Sequence, residues 1–279
     1  MSATMPDYLN VPADRLGDGT PVAVRVTGGM EDVARDMAGA MLDEILHAGE
    51  TGHAATLIIP VGPVDQFPVL AEMINRRRLD CRDVMLVNMD EYLTDDDRWI
   101  DADHPLSFRG YMERKFYGLI DPELAPAPQN RVFPDPAECE RIEAVIDRRG
   151  GVDACFGGIG INGHIAFNEP GETIDDEAFA ALPTRALSLS RETRTINSVT
   201  VGGEISVVPR RAVTVGMREI LASRRLRFYC NRPWQRGVVR RVLHGPITAA
   251  CPASFLRTHA DAAVTIADYV AEPPDIRLR

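Results

Sequence analysis

Asp90 and Glu91 follow directly on a hydrophobic run, DVMLVNM over 83–89. A second polar group, His164 with Glu169 five residues later, follows the run VDACF over 152–156 by way of Gly157, Gly158 and Gly160. A carboxylate at the end of a strand is open to burial, which raises its pKa and makes it a usable base. An imidazole titrates near neutrality, and a nearby carboxylate fixes its tautomer. Together these groups could take a proton from carbon and return it, or open a ring, without a metal. Plainer readings exist: a strand end often just starts a polar loop, and a lone histidine is often a core residue. The glycine before His164 and the carboxylate after it favour the acid–base reading. Asp95, Asp96 and Asp97 have no histidine or cysteine at ligand spacing, so they read as a charged surface loop and not as a metal site. The glycines around 157–163 let a ligand approach the main chain. They do not form the dinucleotide fingerprint, which needs an acidic partner about 20 residues later, after a second strand.

The elements that must hold these groups are legible as alternating apolar and amphipathic segments. Strands are predicted at 22–26, 55–61, 83–89, 152–160, 185–190, 212–217, 225–231 and 262–268, and helices at 30–47, 65–78, 105–117, 136–149 and 234–243. Near-continuous hydrophobic strands separated by helices predict a three-layer, doubly wound α/β fold, Rossmann-like, with a mostly parallel sheet. Ligands in such sheets sit beyond the carboxyl ends of the strands, where Asp90 and His164 are placed. One α/β domain spanning 1–279 is expected, with its core at about 22–268. Segment 121–136 reads as a proline-rich surface connection, 170–212 as a less regular excursion able to serve as a lid, and 1–20 and 270–279 as peripheral arms.

Bulk properties exclude several classes. The net charge is −10 with no basic stripe, which disfavours a nucleic-acid partner. No secretory leader and no apolar run long enough to span a bilayer is seen, so no membrane partner is expected. The five cysteines are scattered and never form a C-x-x-C pair, which predicts reduced thiols in a cytoplasm and no zinc site. Lys115 is the only lysine, in a stretch that reads as an exposed helix face, so P-loop, Schiff-base and aldolase chemistries are disfavoured.

Asn88-Met89-Asp90-Glu91-Tyr92 and GIGINGHIAFNEP (158–170), in that order, resemble the glucosamine-6-phosphate deaminase (isomerase) family. Further matches are TRTINS (193–198), VPRRAVTVGMREIL (208–221) and CPASFLRTH (251–259), so the resemblance spans roughly 22–268. It implies a hydrolase and isomerase of amino-sugar metabolism that works without metal or other cofactor. It also implies roles. Asp90 is the base that takes the C2 proton and returns it to C1. His164 opens the sugar ring, and Glu169 orients it with Asn162 beside it. Glu91, Gly62, Gly160, Gly163, Asn168, Arg194, Arg232 and Trp234 are expected around the sugar. The implied partner is a small-molecule sugar, and a homo-oligomer is compatible with the resemblance, although no seam is readable.

The chain departs from the family at defined places. The family usually has Asp where this chain has Asn162; the galactosamine-6-phosphate branch resembles this chain there and in the following NEPGE, 168–172. A Thr-Gly-Gly-Thr-Pro-like phosphate turn is replaced by Val61-Gly62-Pro63-Val64-Asp65, with no hydroxyls, a proline without an N–H, and an acidic Asp65 that is also a good N-cap. A phosphate-binding arginine is replaced by Val199 and a lysine by Trp234. Each charge-assisted contact contributes about 1.5–3 kcal/mol, so losing three weakens phosphate binding by powers of ten. The expected substrate is therefore a hexosamine or related sugar that is unphosphorylated or differently substituted, with Trp234 stacking on an apolar sugar face. Alternatively, Arg232, Arg236, Arg194 or Arg185 rebuild an anion site. Two further readings compete: a sugar lactone hydrolase similar to 6-phosphogluconolactonase, and a non-catalytic sugar sensor.

Overall fold

The computed structural model describes residues 5–63, 65–171 and 175–275. In chain order the strands are β1 (Ala23–Thr27), β2 (Thr56–Ile59), β3 (Met85–Asn88), β4 (Asp90–Leu93), β5 (Arg131–Val132), β6 (Ala154–Gly158), β7 (Arg185–Ser188), β8 (Arg211–Thr214), β9 (Leu226–Cys230) and β10 (Ala262–Ala267). The helices are α1 (Met30–Glu50), α2 (Gln66–Arg77), α3 (Phe108–Lys115), α4 (Arg141–Arg148), α5 (Asp176–Ala180), α6 (Arg191–Asn197), α7 (Met217–Leu221), α8 (Gln235–His244) and α9 (Asp268–Ala271).

Seven strands form one parallel sheet in the order β1-β10-β9-β6-β2-β3-β5. Every residue of β2 and β3 is buried. That pattern needs helices on both faces, as the unbroken hydrophobic runs predict. α1 supplies part of the cover: Val33, Met37, Met41 and Ile45 recur at helical spacing and are buried. From β2 the chain winds through β3 to β5; it then returns to the other side of β2 and winds through β6, β9 and β10. The direction reverses between β2 and β6, which makes the gap at their carboxyl ends the crevice favoured for ligands.

The plainer reading, in which Asp90 and Glu91 simply open a polar loop, fails. They start β4, which pairs antiparallel with β8, and β8 with β7, in a second sheet of three strands. Asp90, Thr214 and Arg185 lie side by side across it. The 170–212 excursion is thus largely built structure. Its Leu189, Val208 and Ala212 share an apolar cluster with Tyr92, Ile100 and Phe167. Glu172 of the NEPGE stretch and Val64 lie outside the described residues.

The terminal arms are also corrected. Leu16 belongs to the main core, as do Val270 and Ala271. Arg240 is fully buried and donates to the carbonyls of Val11, Arg236, Ala271 and Glu272, which pins both arms to α8. Residues 1–4 and 276–279 lie outside the described residues. Segment 121–136 does more than connect: Leu124 and Ala125 are buried, and β5 forms the sheet edge beside β3.

Candidate active site at the sheet's carboxyl edge

His164 stands on the loop that follows β6, and short local bonds shape that loop. Gly160 N–H donates to the His164 carbonyl at 2.9 Å, and Gly163 N–H to the Gly160 carbonyl at 3.0 Å. A side chain on Gly160 would overlap the His164 ring, and Gly163 needs a φ of +89° that favours glycine. Ala166 also lies in the left-handed region, at φ +52°. Asn168 holds this bend: its amide donates to the Ile165 and Val215 carbonyls at 3.0 and 2.9 Å, and its oxygen accepts from Arg185 at 2.8 Å. Asn168 is fully buried and all its bonds go to the protein, so it frames the site instead of facing a sugar.

The histidine's partners set its protonation. Asn162 Oδ1 accepts from the His164 backbone N–H at 3.1 Å, while Asn162 Nδ2 donates to Glu169 Oε2 at 2.9 Å. These two bonds fix the amide orientation, because a backbone N–H needs an acceptor and a carboxylate needs a donor. The same Oδ1 lies 2.8 Å from His164 Nδ1, so Nδ1 carries the proton and Nε2 keeps its lone pair. Glu169 does not bond the ring directly, its oxygen lying 4.0 Å from Nδ1. Its own oxygens accept from Ser190 N–H at 3.1 Å and from the Thr193 hydroxyl at 3.2 Å. Burial lowers the His164 pKa, and the Glu169 charge opposes that drop.

Asp90 and Glu91 alternate across the pleat and meet different environments. Glu91 is fully buried and accepts from the backbone N–H groups of Tyr92, Phe108 and Arg109 and from the Ser107 hydroxyl, at 2.8–3.1 Å. Its carboxylate closes the start of α3, where unpaired N–H groups and the helix dipole favour an anion. The expectation that Glu91 touches a sugar is therefore corrected: it is a structural anion. Asp90 is buried, and its side chain has no hydrogen-bond partner among the described residues. Burial first, and the Glu91 charge second, push its pKa up to about 8. At neutral pH that describes a protonated acid, poised to titrate in the range where a base is useful.

Thr214 joins the two halves. It pairs with Asp90 across the small sheet, and its hydroxyl accepts from Phe167 N–H at 3.0 Å. Val215 N–H donates to Met89 at 2.7 Å. Tyr92 lies in the same junction. Its ring centroid is 5.3 Å from that of Phe167, and burial first, with the charges of Asp90, Glu91 and Glu169 behind it, raises its pKa against the hydrogen bond from Asn197. Gly158 and Gly62 bring the β6 and β2 ends together, since a Cβ on Gly158 would lie 3.3 Å from the Gly62 carbonyl; Gly62 itself borders open space.

The other expected sugar contacts are placed differently. Arg194 is spent inside the excursion, donating to the Val208 and Ile205 carbonyls at 3.2 and 2.9 Å. Arg236 donates to the Tyr269 carbonyl at 2.6 Å, and Arg185 to Asn168 and Pro183. Arg232 reaches the Met30 sulfur at 3.3 Å. Trp234 is half-buried at the start of α8, next to Gln235, which donates to the Ile159 carbonyl at 2.8 Å and so ties α8 to the histidine loop. Asp65 does not cap α2 through its side chain, contrary to its residue type. Val199 is 70% exposed. Sequence reasoning missed the roles of Ser190, Thr193 and Thr214. Thr193 stood in the TRTINS motif, but nothing in a linear pattern says which hydroxyl meets which ring. Among the described residues no group of three or more histidine, cysteine or acidic side chains could hold a metal, and no helix is long and apolar enough to cross a membrane.

Comparison with known proteins points the same way. A glucosamine-6-phosphate deaminase of Exiguobacterium sibiricum is 32% identical over 194 residues, 70% of this chain and 72% of that protein. The Geobacillus sp. protein of the same name is 35% identical over 192 residues, 68% and 71%. That of Beutenbergia cavernae is 30% identical over 237 residues, 84% and 87%. A solved structure described as a monomeric glucosamine-6-phosphate deaminase superposes with a TM-score of 0.77 at 29% identity, covering 90% of this chain and 99% of its own. A 6-phosphogluconolactonase from Thermotoga maritima shares the fold, with a TM-score of 0.63 at 13% identity, covering 88% and 100%. No family model matches the chain.

Proposed function

The chain belongs to the glucosamine-6-phosphate deaminase family of enzymes, and from that premise we propose that it isomerises and deaminates an amino sugar that lacks the 6-phosphate of its relatives' named substrate. The observation that carries the reaction class is the pairing at the carboxyl edge. A buried carboxylate with its pKa near 8 lies beside Thr214, and Thr214 also holds the loop of a histidine with a free Nε2. In this reading Nε2 of His164 accepts the proton of the anomeric hydroxyl and delivers it to the ring oxygen, giving the open aldose. Ionised Asp90 removes the proton from C2 and returns it to C1, while a proton leaves the amino nitrogen and one reaches O1, so the C1 carbonyl becomes a hydroxyl and the double bond moves to C2 as an imine. Water adds there and ammonia leaves. Each proton that is taken is given back, so the enzyme ends as it began.

The substrate reading rests on the other end of the crevice. Three of the four arginines that could have rebuilt an anion site donate to main-chain carbonyls or to Asn168. Val61, Pro63, Val199 and Trp234 offer no charge-assisted donor where the family's phosphate contacts are expected. A neutral sugar terminus suits a half-buried indole and an open glycine better than a dianion does.

The test is to follow ammonia release and ketose formation with glucosamine 6-phosphate, galactosamine 6-phosphate and both unphosphorylated sugars. The unphosphorylated forms are expected to have the higher kcat/KM. Clear preference for a phosphorylated sugar overturns the substrate reading, and lactone hydrolysis without ammonia release overturns the reaction class.

A further inference from the structure

The His164–Glu169 gap of 4.0 Å raises a question, because a carboxylate that far away cannot hold the ring by a hydrogen bond. Asn162 bridges the two on the histidine's own loop, and the excursion supplies a second bridge. α6 begins with Ser190 as its N-cap, the hydroxyl accepting from Thr193 N–H at 3.1 Å. That cap presents the fully buried Thr193 hydroxyl to three partners: His164 Nδ1 at 3.1 Å, Glu169 Oε2 at 3.2 Å and the Ser190 hydroxyl at 3.2 Å. A hydroxyl has one proton and two lone pairs. The carboxylate can only accept, so the Thr193 proton points to Glu169. One lone pair then receives Ser190 O–H, and the other is a second acceptor for His164 Nδ1–H, which is shared with Asn162 Oδ1 at 2.8 Å. The reverse arrangement, with Thr193 donating to Nδ1, would leave the Nδ1 lone pair facing Asn162 Oδ1 at 2.8 Å, two acceptors in contact.

We infer that Thr193 is a positioning residue: its hydroxyl ties the Nδ1–H of His164 to the Glu169 carboxylate and keeps Nε2 as the proton-accepting nitrogen. The inference rests on the reading of His164 as the acid–base group. It gives the excursion a chemical task, since docking of α6 completes the histidine's surroundings. It also explains how a chain with a neutral amide at 162 still brings a negative charge to bear on the ring. Titratable and charged groups around this junction are Glu169 on the histidine's own loop, Asp90 and Tyr92 on β4, and Arg185 on β7.

The decisive measurement is a pH titration of the His164 ring nitrogens by 15N NMR, in wild type, Thr193→Val and Thr193→Ser. His164→Gln identifies the signal among the six histidines. Loss of the hydroxyl removes an acceptor from the imidazolium, so Thr193→Val is expected to lower the histidine pKa by about half to one pH unit. It is also expected to move the histidine limb of the kcat/KM profile by the same amount, and Thr193→Ser to restore both. An unchanged titration in Thr193→Val, with only a lower Tm, overturns the inference; so does failure of Thr193→Ser to restore it. If Thr193→Val does not fold, Thr193→Ala reads the same quantities. Because the titration needs no substrate, it decides Thr193 even if no amino sugar is turned over, an outcome that would sink only the functional reading.

Discussion

Two sets of residues around the sheet's carboxyl edge are built on opposite principles. At the β3–β6 end, Asn162, His164, Glu169, Ser190 and Thr193 bond one another, and every donor and acceptor has an assigned direction. Among the described residues, the Asp90 carboxyl and His164 Nε2 have no hydrogen-bond partner, and these are the two groups given the proton transfers in the proposed reaction. After β2 and β9, Gly62 is exposed and Trp234 half-buried, Arg236 donates to a carbonyl and Arg232 reaches the Met30 sulfur; in the excursion Arg194 is likewise spent on carbonyls and Val199 is 70% exposed. Rigid, directed bonds suit a reaction centre, where a misplaced proton costs rate. Loss of directed charge suits a change of ligand. The reaction class and the identity of the substrate's far end are thus physically separable in this fold.

The largest effect expected from breaking that contrast is at Asp90. Asp90→Asn should lower kcat by about 10³-fold with sugar binding retained, in the range for a lost general base. The same variant should be more stable at alkaline pH. A carboxyl whose folded pKa lies above its unfolded value holds an extra proton in the native state, so its contribution to stability falls as pH rises from about 4 to about 8. Thermal melts at pH 9 should show Asp90→Asn above wild type, and a lower Tm would contradict the burial argument.

Restoring charge at the other end should change ligand choice without changing chemistry. Val199→Arg with Trp234→Lys is expected to improve kcat/KM for 6-phosphorylated amino sugars by roughly 10–100-fold per contact regained, with kcat little altered. Steady-state kinetics on matched sugar pairs checks this; equal gains on unphosphorylated sugars would show that the positions do not face the sugar's far end.

The wild-type pH profile sharpens the contrast further. As the proposed base, Asp90 would have to be ionised to act, so kcat/KM should rise about tenfold per pH unit up to about 8 and then level. A plateau beginning near pH 5 would mean that Asp90 is not desolvated in solution. Glu91→Gln should have the smallest catalytic effect: kcat within about twofold, but a loss of about 2 kcal/mol as the donors at the start of α3 lose their anion. Urea unfolding alongside kinetics separates the two.

Much of this was legible in the linear pattern. Among the described residues, the alternation of apolar runs and amphipathic segments marked eight of the ten strands and the five longest helices; the signal is strongest in strands such as β2 and β3, where burial on both sheet faces demands continuous hydrophobic runs. β4 escaped because it is four residues of mixed charge and aromatics, and its strand character comes entirely from pairing with β8, over 110 residues away in sequence. The arms escaped because one buried arginine, Arg240, pins them. Asp90 and Glu91 show the limit most sharply: adjacent residues of the same chemistry, one free to titrate and the other consumed by a helix start.

The residue types at the strand ends, the missing hydroxyls of the 61–65 turn and the valine at 199 are properties of the chain alone, since covalent identity decides what charge and hydrogen-bonding capacity a position can offer. Which carboxylate stays unpaired, which arginines are already spent on carbonyls, and which hydroxyl stands between His164 and Glu169 were decided only in three dimensions. Those outcomes depend on contacts between segments far apart in sequence, and hydrogen bonds select partners by distance and angle across space.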